Sequence, residues 1–122
     1  MQVKDYGVYE EQSLHTVMQA IPNVMSVYKA VTSSAGESTT ELRQGIMNYA
    51  INPTPELLRE LPETLQSFVH KVAEESYKIT DHDIHGLRES GYPDDFIFEI
   101  TSTAATGAAL RRFRAGIEAL AE

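Results

Sequence analysis

Four acid–base side chains of this chain crowd into one region. His70, Glu74 and Glu75 fall within "QSFVHKVAEES", and His82 follows in "ITDHDIHGLRES". Histidine takes up and returns protons near neutral pH, and a carboxylate four residues further along a helix shares its face and can orient it. His70 and Glu74 have that spacing. His70, Glu74, Glu75 and His82 are therefore the candidate catalytic residues of an acid/base site that needs no cofactor. The structural alternative for His70 is a half-buried or surface position on a helix.

A second constellation, Asp81, His82, Asp83 and His85, holds residue types that suit zinc or manganese. It lacks a His-x-x-x-His or Glu-x-x-His signature, and its acids are explained by a helix start with Thr80 as cap and Asp83 in its first turn. No metal and no cofactor are expected. Arg111, Arg112 and Arg114 have the chemistry to clamp a carboxylate or phosphate. With 18 acidic residues in the chain, pairing within or between subunits is the default. No phosphate loop, dinucleotide fingerprint or serine elbow occurs.

Composition removes several function classes. The chain has no cysteine, so disulfides, thiolate nucleophiles and iron–sulfur clusters are excluded. Its formal charge of −8 repels nucleic-acid backbones and anionic membrane surfaces. A short helix, a glycine turn and a second helix outline a helix-turn-helix, but the second helix opens "PDDFIFE", which would set acids against phosphates. The N-terminus is polar and no apolar run approaches the ~18 residues of a membrane span. The expected setting is cytoplasmic, with neither nucleic acid nor membrane as partner.

The elements that must position these residues read as all-helical, within a single domain of 122 residues. After a loose arm at 1–8, Leu14, Val17, Met18 and Ile21 have helical spacing. Pro22 opens a second helix with Val24, Val27, Tyr28 and Val31 on one face. Ser38-x-x-Glu41 is a capping pattern ahead of Leu42, Ile46, Tyr49 and Ala50. "NPTP" at 52–55 breaks that helix and is the expected hinge between the halves. A helix over 62–78 carries Leu65, Phe68, Val69 and Val72. Thr80-x-x-Asp83 caps a short helix that stops at Gly91, and Pro93 starts the last one, over 93–121. The small residues of "TSTAATGAA" let a neighbouring helix come close, in the core or at a subunit contact.

The run "SYKITDHDIHGLRESGYPDDFIFEITSTAATGAALRRFRAGIEAL" resembles the carboxymuconolactone decarboxylase and alkylhydroperoxidase-D-like (AhpD-like) superfamily. The likeness lies in Gly91-Tyr92-x-Asp94-Asp95-x-Ile97-x-Glu99 and the Ala/Gly-rich helix ending in arginines. It covers roughly 56–122 and leaves 1–52 unplaced. It implies an all-α fold of about six helices and assembly as a homo-oligomer. The peroxidase branch uses a Cys-x-x-Cys-x-x-x-His motif, whose positions fall here on Ser76, Ile79 and Asp83, so thiol peroxidase chemistry is not available. The resulting expectation is a cysteine-free member of this family, oligomeric, with a small-molecule ligand. The alternatives are a cofactor-free decarboxylase, lactonase or isomerase using Glu and His, and a helical module that binds a protein partner.

Overall fold

A computed structural model describes residues 22–121. These form α1 (Pro22–Ser33), α2 (Thr40–Ile51), α3 (Pro55–Arg59), α4 (Glu63–Glu74), α5 (Asp81–Glu89) and α6 (Asp94–Leu120), with a 3-10 turn at Ser76–Lys78. The described residues are all-α, with no strand. The arm at 1–8 and the helix read around Leu14, Val17, Met18 and Ile21 lie outside the described residues.

Periodicity explains the core. Leu65, Phe68, Val69 and Val72 of α4 recur at one helical face and are all buried. They meet Ile46, Tyr49 and Ala50 of α2 and Ile97, Ile100 and Ala104 of α6 in one cluster. Burying a side chain of this size is worth about 1.5–3 kcal/mol against leaving it in water. The most extensive packing joins α2 to α6. The 52–55 break is therefore a corner rather than a hinge: the helices on either side of it share one core. Val27, expected on the inner face of α1, is 48% exposed, while Tyr28 and Val31 pack against Met47, Ile51 and Leu110.

The punctuation of the second half follows the sequence. Thr80 accepts from the Asp83 amide, and the Asp83 carboxylate accepts from the Thr80 amide at 2.9 Å, a reciprocal cap. Asp83 also receives Lys71 Nζ at 2.9 Å, which ties α5 to α4 and holds the Asp83 carboxyl below its usual range. Gly91 takes φ +97, a region glycine enters without strain, and the chain turns there into α6.

The start of α2 differs from expectation. Thr39, not Ser38, is the cap, accepting from the Leu42 amide at 3.1 Å. Ser38 is drawn away by Glu99 of α6, whose carboxylate accepts from the Ser38 amide (2.8 Å), the Ser38 hydroxyl (2.5 Å) and the Glu37 amide (2.9 Å). Arg43, only 2% exposed, donates to the carbonyls of Val31 and Ser34 and so closes the C-terminal end of α1. These contacts replace most of the water that a buried guanidinium gives up, while Nε of Arg43 is buried without a partner.

Burial pushes the Glu99 carboxyl up, but the Ser38 and Glu37 donors outweigh it and leave it below the usual range. A lowered folded-state value stabilises above the unfolded carboxylate range, and that stabilisation is lost as pH falls through the folded value. Glu99→Gln is therefore expected to flatten the acid limb of the stability curve below about pH 4.5. Urea midpoints measured as a function of pH check this; an acid limb as steep as the parent's would remove Glu99 from the account.

Candidate functional site

The site begins where α4 ends. The expected helix over 62–78 stops at Glu74, because Glu75 leaves helical geometry at φ −142, ψ 48. A helix end exposes carbonyls that need donors. Here the donors come from α6: Arg111 Nη2 and Arg112 Nη2 reach the Ala73 carbonyl at 3.2 and 3.1 Å. Arg111 Nη1 also pairs with the Glu74 carboxylate. Arg111 and Arg112 thus serve a helix end other than their own; the last turn of α6 holds no basic residue. Arg114 is buried.

The break turns Glu75 back toward His70, whose Nε2 lies 3.6 Å from Glu75 Oε1. On the other side of the ring, His70 Nδ1 is 2.7 Å from the Tyr49 hydroxyl of α2. The expected i, i+4 orientation of His70 by Glu74 does not form. Glu74 goes to Arg111, and Glu75 with Tyr49 flanks the imidazole instead.

Protonation follows from these neighbours. Burial first, and then the Glu74 carboxylate, push the Tyr49 phenol up, so it keeps its proton. Lys78 holds the Glu75 carboxyl below its usual range by hydrogen bond and charge. A carboxylate beside Nε2 favours a proton there, which leaves Nδ1 to accept from the Tyr49 hydroxyl. The result is a carboxylate, an imidazole and a buried phenol in line.

Tyr49, His70 and Glu74 line a cavity of about 380 Å³ together with Pro53, Thr54, Pro55 and Leu58. The proline corner between α2 and α3 forms its apolar wall. Thr54 Oγ1 caps α3 by accepting from the Leu57 amide at 3.2 Å, which leaves its own hydrogen to give to a ligand oxygen.

Of the four sequence candidates, His70 and Glu74 line this cavity, and Glu75 joins them through His70 without being a lining residue. His82 does not: it is exposed in the first turn of α5 and is not among the residues lining this cavity. Its neighbours are engaged otherwise. Asp83 is the cap partner of Thr80, and His85 Nε2 lies 3.0 Å from Glu89. Among the described residues, no three metal-ligating side chains gather in a group able to hold an ion. Among them, too, no helix is long and apolar enough to cross a membrane.

Tyr49 is the member that spacing did not reveal as a site residue; Arg111, read from sequence as a clamp or an ion-pair partner, pairs with Glu74. Tyr49 read only as an apolar position of α2. The usable signal was chemical: a buried tyrosine hydroxyl needs a partner.

Comparison with known proteins returns no matching family model, no matching curated protein and no matching solved structure. The chemistry of the cavity therefore carries the functional reading.

Proposed function

We propose that the protein performs cofactor-free acid/base chemistry on a small organic molecule bound in the Tyr49–His70 cavity. The observation that carries this is the 2.7 Å contact between the Tyr49 hydroxyl and His70 Nδ1 in the cavity wall. In such a pair a substrate proton moves to the Tyr49 oxygen as the phenol's own proton moves to Nδ1. The imidazolium so formed has the Glu75 carboxylate beside Nε2. The reverse transfer returns the proton to the substrate, and Thr54 offers a donor to its carbonyl oxygen. Proton transfer next to a carbonyl is the reaction class that fits.

The test is proton exchange. Cyclohexanone is incubated with the protein in D2O and loss of its α-proton signal is followed by NMR. Exchange well above the buffer rate is expected. A rate equal to buffer, with no shift of the Tyr49 or His70 ring signals, would overturn the reading.

We also propose that the chain is a cysteine-free relative of the carboxymuconolactone decarboxylase-like proteins and self-associates. The motif resemblance over 56–122 supports the first part. The outer face of α6 supports the second: Phe98 (72%), Phe113 (43%) and Leu120 (87%) are exposed on the helix whose intervening Ala105, Ala109 and Gly116 are also exposed. Sedimentation equilibrium should show a species heavier than one chain; a monomer at all concentrations would remove this part.

A further inference from the structure

The charge in the cavity wall points to the kind of substrate, given the acid/base reading above. Of the residues lining the cavity, Glu74 alone carries a permanent charge, and it is negative. The cation that touches Glu74 is engaged: Arg111 gives Nη1 to Glu74 and Nη2 to the Ala73 carbonyl, and its side chain is 17% exposed. The Lys78 ammonium is paired with Glu75. A carboxylate ligand would thus meet Glu74 with no uncommitted cation among the lining residues, in a chain of net charge −8. The remaining wall, Pro53, Pro55 and Leu58 with the Thr54 hydroxyl, offers apolar contact and one donor.

We infer that the Tyr49–His70 cavity takes an uncharged or cationic substrate and turns carboxylates away, with Glu74 as the residue that sets this preference. A cavity of about 380 Å³ accommodates a substituted six-membered ring. Glu74 does not enter the proton relay. It acts on the ligand's charge, and it keeps Arg111 from becoming an anion site.

Three ligands of one ring size separate the alternatives: cyclohexanone, cyclohexylamine (a cation at neutral pH) and cyclohexanecarboxylate. Binding is read from the ring resonances of Tyr49 and His70. The ketone and the amine are expected to bind, and the carboxylate at least tenfold more weakly. Glu74→Gln should close or reverse that gap, because Arg111 loses its anionic partner. Should Glu74→Gln fail to fold, the unaltered protein still decides: added salt should narrow the gap between carboxylate and ketone by screening. Carboxylate binding as tight as the ketone's in the unaltered protein overturns the charge preference and leaves the acid/base reading standing. No response of either ring to any of the three overturns both.

Discussion

Gly107→Leu is expected to unfold much of the protein. Gly107 sits where α6 meets α2, and a Cβ at this position would lie 2.6 Å from Ala50 Cβ and 3.1 Å from Met47 Sδ. Ala50 and Met47 are both fully buried, so neither can move aside into solvent. Ala50 Cβ is fixed by its backbone, so the helices themselves must separate. Even Gly107→Ala, which gains about 1 kcal/mol of helix propensity, should lose about 1–3 kcal/mol to this collision, leaving it about 0–2 kcal/mol less stable. Leucine adds further volume and should cost more than about 3 kcal/mol, a large share of the roughly 5–15 kcal/mol that holds a domain together. Urea unfolding followed by circular dichroism measures both. Gly116→Ala is the control: it lies in the same helix with nothing within 4 Å of its added methyl, so it should gain up to about 1 kcal/mol. Equal effects at 107 and 116 would show that propensity, not contact, governs the helix.

Tyr49→Phe should slow cyclohexanone exchange about a hundredfold or more, the usual scale for a lost acid/base group. The ring and its packing remain; only the hydroxyl goes. Stability should fall by about 1–2 kcal/mol for one hydrogen bond, too little to empty the folded state. His70→Gln should give a loss of the same order. The double variant should be scarcely slower than either single one, because the proposed relay uses the two groups as one unit. If the rate fell only in step with the folded fraction, Tyr49 would be a structural residue and the relay would be wrong.

The legible parts of this fold are those governed by neighbours in the chain. Thr80 and Asp83 form their reciprocal cap, and Gly91 turns the chain, because both need only residues a few positions away. The small stretch of α6 was readable too, since Gly107 does meet another helix closely. What distance controls was not readable. Ser38 and Thr39 are both credible caps for α2; Glu99, 61 residues beyond Ser38, decides between them by taking Ser38. The site divides in the same way. His70, Glu74 and Glu75 could be picked from one helix and its end, whereas Tyr49 lies 21 residues from His70 and shares no pattern with it. His82 was selected by residue type and nearness in sequence. Its short helix faces it into solvent instead.

The end of α4 has a bearing on how the protein reaches its working form. That end is closed not by a local glycine but by Arg111 and Arg112, which are 38 and 39 residues further on. The Glu74 partner is equally remote, at 37 residues. Contacts of such long separation form only after loop-closure entropy has been overcome, so they arrive with the docking of α6. A partly folded chain in which α6 has not docked would hold His70 on a helix without a settled end. The relay proposed above would then lack the fixed Glu74–Arg111 part of its wall in any intermediate in which α6 has yet to dock.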